Sequence, residues 1–155
     1  MLLATVLVMV GVECGSAPML LVEAPGGVPA IYQFLQSIDR SVIVELPIED
    51  WGLSPVYMFW STWHWNPLVN GYSGLRPPDY EETLARMRTF PDTAAIERLQ
   101  SLGVRYILVH EAYYKHDVVT AMMLQLLRRP DVMPAGHFKD AAGNTHVFEL
   151  KKPGG

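Results

Sequence analysis

The hydrophobic pattern divides the chain into an apolar start, a Pro/Gly connector and a longer region where helical and strand periodicities alternate. Apart from Thr5, residues 1–12 are apolar or glycine, and no basic residue occurs before Arg40. At about 1.5 Å per residue a twelve-residue helix spans roughly 18 Å, short of the roughly 30 Å hydrocarbon layer, so this run is not a complete transmembrane helix by itself. A secretory signal would start with positive charge, which is missing, and Pro18 directly follows the small residues Gly15, Ser16 and Ala17. A lipoprotein signal would place a small residue where Glu13 precedes Cys14. A buried core helix is one remaining reading. The favoured one is the outer end of a transmembrane helix whose beginning was lost, because the run exits into Glu13, Gly15, Ser16 and Pro18 without a cation, as an end facing away from the cytoplasm should.

Beyond the connector, Ala24 to Gly27, residues Ile31, Phe34, Leu35 and Ile38 recur at helical spacing and predict a short amphipathic helix over Val28–Ile38, entered through Pro29. Val42 to Leu46 is a β-branched run stopped by Pro47 and predicts a buried strand. Ser54 to Trp63 fits a helix with Val56, Phe59, Trp60 and Trp63 on one side, although its aromatic content also suits a strand; helix is preferred. Gly71, Gly74, Pro77 and Pro78 predict a loop. Asp79 with Glu82 three residues on matches a capping box for a helix carrying Leu84, Met87 and Phe90. A second helix, Thr93 to Leu102, ends at Gly103. Val104 to Val109 is a second strand and Asp117 to Leu127 a helix. In that helix Val118, Val119, Met122, Met123, Leu124, Leu126 and Leu127 form a broad apolar face for the sheet, with Arg128 and Arg129 at its end. Met133 to Lys139 and Thr145 to Leu150 form a hairpin that sets His137 across from His146.

The predicted architecture is α/β, a small sandwich with a mixed sheet: two parallel strands plus a C-terminal antiparallel hairpin, preceded by an apolar N-terminal helix. Residues 1–17 are the apolar helix, 18–27 the connector, 28–150 the α/β domain and 151–155 a polar tail. With 155 residues, 50% of them hydrophobic, the chain can bury one core, not two. The net charge of -4 and the scattering of its 12 Lys and Arg argue against nucleic acid as a partner. One cysteine, Cys14, excludes an internal disulfide framework and a Cys-based zinc site.

Between Tyr57 and Tyr80 the sequence crowds aromatic rings, amides and turn residues beyond what core packing requires. This region, together with Val44-Glu45-Leu46-Pro47, Tyr57-Met58, Ser61-Thr62, His64-Trp65, the run Pro67-Leu68-Val69-Asn70-Gly71-Tyr72-Ser73-Gly74, Pro77-Pro78, Phe90-Pro91 and Leu102-Gly103-Val104-Arg105-Tyr106, resembles the C-terminal soluble region of bacterial polytopic membrane proteins. Those proteins are similar to the membrane-embedded glycosyltransferases that use lipid-linked sugar donors. The resemblance covers roughly residues 20–150. It implies an accessory domain on the extracytoplasmic side of a bacterial cell membrane, held by the N-terminal helix, with lipid-linked sugar or a transmembrane segment as partner. Catalysis in such enzymes belongs to an acidic loop near the first transmembrane helices, so no catalytic residue carries over to this chain, and no cofactor or metal is implied.

Physically, Trp63, Trp65 and Tyr72 offer flat faces for sugar C–H groups, and His64, Asn70 and Ser73 offer directional hydrogen bonds. These six are the candidate substrate-binding residues. The competing account has the aromatics anchoring the loop on the sheet and at the membrane interface, with Asn70-Gly71 and Ser73-Gly74 as turn chemistry. His110 and Glu111 close the second strand, where an open α/β sheet presents ligands, with His116 beyond; His110 and His116 are six apart and match no metal motif. Glu45, Glu49 and Asp50 are carboxylates near the exit of the first strand; they are candidates for general acid or base work, but such carboxylates are more often solvated or capping, and that is the preferred reading. A different class of function is a soluble stand-alone binding module in which residues 1–12 are core. A third, a small hydrolase, would need His110, Glu111 and a nucleophile to converge.

Overall fold

The computed structural model describes residues 2–15, 27–49, 52–71, 77–140 and 143–151. Its sheet has four strands: β1 (Val42–Leu46), β2 (Val104–His110), β3 (Val132–Asp140) and β4 (Gly143–Leu150), in the order β1-β2-β4-β3. The first two pair in parallel, Leu46 beside Val109, and the last two form the antiparallel hairpin, with Val109 of β2 beside His146 of β4. The mixed sheet read from the sequence is therefore the observed one. Continuous apolar runs such as Ile43-Val44 and Tyr106-Ile107-Leu108-Val109 are buried because helices cover both sheet faces.

On one face lie α2 (Ala30–Ser37) and α3 (Ser54–His64), which bury Ile31, Tyr32, Leu35 and Trp60 against Ile43, Tyr106, Leu108 and Val147. On the other lie α4 (Pro78–Met87), α5 (Thr93–Ser101) and α6 (His116–Leu127), packed on Val44, Leu46, Ile107, Val109 and Phe148. Preceding all of these, α1 (Leu2–Cys14) has every described side chain exposed. No helix among the described residues is long and apolar enough to cross a membrane.

Three expectations change. The side of α3 that packs is Ser54, Tyr57, Trp60 and His64, so of the residues predicted to share the inner face only Trp60 is buried; Val56, Phe59 and Trp63 face outward. The capping box does not form, because the helix starts at Pro78, which puts the N-cap at Pro77, two residues before Asp79, with no side-chain cap. Glu82 instead lies 3.8 Å from both Arg86 and Arg98. Finally, α6 packs one stripe, Val119, Met122 and Leu126, while Val118, Leu124 and Leu127 remain exposed. By contrast α5 stops at Gly103 as its sequence suggests, with φ +72 there, and at its start the Asp92 carboxylate accepts from the Ala95 N–H at 2.8 Å.

The outer edge of β1 is sealed by residues 66–70. Ile43 donates its N–H to the Pro67 carbonyl and accepts from the Val69 N–H, both at 2.9 Å. Two asparagine side chains extend this clamp. The Asn66 amide accepts from the Ser41 N–H at 2.9 Å and donates to the Leu35 carbonyl at 2.7 Å. The Asn70 amide takes the Glu45 N–H and gives to the Glu45 carbonyl, both at 2.7 Å. An edge strand whose polar groups are answered in this way offers no template to another chain. The Asn-Pro-Leu-Val-Asn run thus has a main-chain role, in which two amides stand in for a fifth strand.

Candidate functional site

One residue breaks the apolar run of β1: Glu45, fully buried on the sheet face beneath α2 and α3. Strand alternation carries it to the same face as Ile43, and the pairing of β1 with β2 brings it near His110 at the carboxyl end of the parallel strands. Glu45 Oε2 lies 2.7 Å from His110 Nε2 and accepts from the Tyr32 hydroxyl at 2.9 Å. The other ring nitrogen, His110 Nδ1, is 3.0 Å from Thr145 Oγ1, contributed by the neighbouring strand β4. Four elements therefore meet in one polar chain, Tyr32–Glu45–His110–Thr145.

Donor and acceptor roles in that chain follow from protonation. With Glu45 ionised and His110 neutral, Nε2–H donates to the carboxylate and Nδ1 accepts from the threonine hydroxyl. With His110 protonated, both ring nitrogens donate and the hydroxyl turns to accept. Burial, followed by the charge and hydrogen bond of Glu45, holds the Tyr32 hydroxyl well above the ordinary tyrosine range, so Tyr32 serves only as a neutral donor. Tyr57 stacks on the His110 ring at 5.2 Å and Tyr113 lies tilted at 5.9 Å, fixing the imidazole plane.

Beside this chain is a cavity of about 40 Å³, lined by Tyr32, Tyr57, His110, Tyr113, Asn144 and Thr145 among others. That volume holds water molecules, whereas sites for organic ligands run to roughly 300 Å³ and above. A hydroxyl, an imidazole and a carboxylate in line resemble the machinery of a nucleophilic hydrolase in type and order. A space of about 40 Å³ is small for an acyl or glycosyl group, and Thr145 is itself buried. What the arrangement does is hold the sheet and α2 together through polar groups.

The carboxylate expected to join His110 is elsewhere. Glu111 accepts from the Asn144 side-chain amide at 2.8 Å and lies 3.5 Å from His146 Nε2, and the Asn144 bond, then His146, holds its carboxyl below the usual range. His137 and His146 are register partners with stacked rings 4.6 Å apart, in line with the predicted hairpin. His116 is exposed at the start of α6. Among the described residues no group of three or more His, Cys, Asp or Glu is placed to hold a metal ion.

The six residues singled out from the sequence separate. Trp63 and Trp65 face outward, 43% and 76% exposed, the latter at the left-handed C-cap of α3 with φ 54. His64 and Asn70 turn inward. Asn70 is committed to the Glu45 backbone, and His64 stacks on Tyr32 at 6.0 Å while its Nδ1 accepts from the Asn66 N–H at 3.0 Å. Tyr72 and Ser73 lie outside the described residues. Glu45 is neither solvated nor capping, as carboxylates at a strand exit were expected to be: it is buried and bonded to Tyr32 and His110, and the signal against that expectation is that a charge within Val-Ile-Val-Glu-Leu must be paired once the strand is covered. Tyr32 and Thr145 give no such signal, since their role arises only when α2 and β4 are set against β1 and β2.

Burial pushes the pKa of His64 down to about 4 from 6.5. Between those values the unfolded chain binds more protons than the folded one, so stability rises with pH across the window. The contribution is complete above 6.5 and is lost as pH falls toward 4, amounting at most to about 3 kcal/mol at roughly 1.36 kcal/mol per pH unit. The melting temperature should therefore fall on acidification through this range, and His64→Phe should flatten the profile. An unchanged slope in that variant would place the titration on another group.

No family model, curated protein or solved structure matches the chain.

Proposed function

We propose that this chain is a membrane-attached accessory α/β domain, held through α1 and not itself catalytic, that contacts donor, acceptor or partner in a lipid-linked-sugar glycosyltransferase-like system on the extracytoplasmic side. One observation carries the membrane attachment. Each of the large apolar side chains Leu3, Val6, Leu7, Val8, Met9, Val10 and Val12 of α1 is between 48% and 76% exposed, and together they surround the helix. A helix that is apolar all round, without burial, belongs in an apolar medium. The rest of the reading is supported by the family resemblance of the residues and by two features of the site. Its reactive groups are committed inside the fold, and the aromatic rings Trp63 and Trp65 are presented outward.

Fractionation tests the attachment. The full chain should remain in membranes after alkaline carbonate washing, and a chain lacking residues 1–17 should be soluble and folded. If both are soluble, or if the shortened chain does not fold, α1 is core and a free-standing binding module is the better account.

A further inference from the structure

We infer that the outer face of α3 is a second membrane contact, an anchor lying in the headgroup–acyl boundary of the bilayer alongside the attachment by α1; this rests on the membrane reading above and assigns a surface to it. Val56, Phe59 and Trp63 are spaced three and four residues apart on one side of α3 and are 40%, 48% and 43% exposed, with Trp65 beyond them at the helix end. An apolar stripe of this size directed at solvent calls for a covering surface.

Charge identifies the cover. Residues 51–75 contain no Asp, Glu, Lys or Arg, in a chain that is 18% charged, and the apolar start, residues 1–12, shares this property. A protein partner is ordinarily met by a surface with a polar rim and arginine among its contacts. An uncharged segment that presents Trp63 and Trp65 outward matches the bilayer interface, where indole sits with its ring toward the acyl chains and its N–H toward the headgroups. The hydroxyls on this helix fit the same medium. Ser61 Oγ donates to the Met58 carbonyl and Thr62 Oγ1 to the Phe59 carbonyl, both at 2.7 Å. Their hydrogen bonds are answered within the helix, which removes the main cost of leaving water.

The absence of cations from residues 51–75 also points to the kind of membrane binding: apolar insertion, not attraction to anionic lipid. The test uses the full-length chain, with α1 intact or weakened by Leu7→Lys and Val8→Lys, and vesicles of phosphatidylcholine with or without an anionic lipid. In the weakened chain, Phe59→Glu with Trp63→Glu should lower vesicle partitioning at least about tenfold, because each places a charge where a ring was inserted. Binding of the parent should be unaffected by salt or by anionic lipid. In the intact chain attachment should persist through α1, while quenching of tryptophan emission by acyl-brominated lipid should fall in the double variant. Unchanged partitioning and quenching would overturn the inference, as would binding that requires anionic lipid. A change in oligomeric state of the double variant without vesicles would also overturn it, assigning the face to a second copy of the chain. If weakening α1 has no effect while the α3 substitutions abolish binding, the α3 anchor stands and attachment through α1 fails.

Discussion

Glu45→Ala should lower the free energy of unfolding by about 3–5 kcal/mol, the scale for opening a cavity in the core and leaving two buried donors without their acceptor. The substitution leaves His110 Nε2 and the Tyr32 hydroxyl without the carboxylate that accepts from both. It also leaves a void under α2, because the side chain it removes is fully buried. Urea denaturation of Glu45→Ala, His110→Phe and the double variant measures the effect. The phenyl ring keeps the stacking with Tyr57, so the cycle isolates the polar chain. The double variant should lose clearly less than the sum of the single losses. A loss below about 1 kcal/mol for Glu45→Ala would mean that the pair breaks even against its own desolvation and that hydrophobic packing alone orders these strands.

Asn70→Ala should cost about 2–3 kcal/mol, since a single amide satisfies both the N–H and the carbonyl of Glu45 and both would be left unanswered at a buried position. The effect has a second readout. With the clamp gone, the edge of β1 presents main-chain groups outward, so the variant should self-associate more readily than the parent at equal concentration. Denaturation combined with sedimentation velocity tests both consequences. A variant as stable and as monodisperse as the parent would mean that the Pro67 and Val69 backbone bonds hold the edge without help from the side chain.

The elements legible in the sequence were those in which local pattern and tertiary demand agree. Val42 to Leu46 was bounded by its β-branched run and by Pro47, and the observed strand has those limits. Gly103 stopped α5 because the left-handed conformation it adopts is one glycine takes without strain. Where two demands competed, the sequence was ambiguous. In α3 the residues at positions 56, 59 and 63 have the spacing of a core stripe, but the core took 57, 60 and 64, which stack on Tyr32 and His110. Nothing in the one-dimensional pattern separates two adjacent aromatic stripes. The Asn70 role was hidden for a related reason: an asparagine before glycine has the chemistry of a turn, and its function as a strand mimic depends on which backbone lies beside it. The Tyr32–Glu45–His110–Thr145 chain joins residues distant in sequence, so only the charge at position 45 announced it.

The most direct test of the membrane account is the position of α1 relative to lipid. A fluorophore attached through Leu7→Cys in a Cys14→Ser background, with the full chain reconstituted in vesicles, should be quenched by acyl-brominated lipid and protected from aqueous iodide. The same label at Lys139, exposed on β3, should show the reverse. Strong iodide quenching at position 7, equal to that at position 139, would contradict membrane attachment through α1 and return the chain to the class of soluble binding modules.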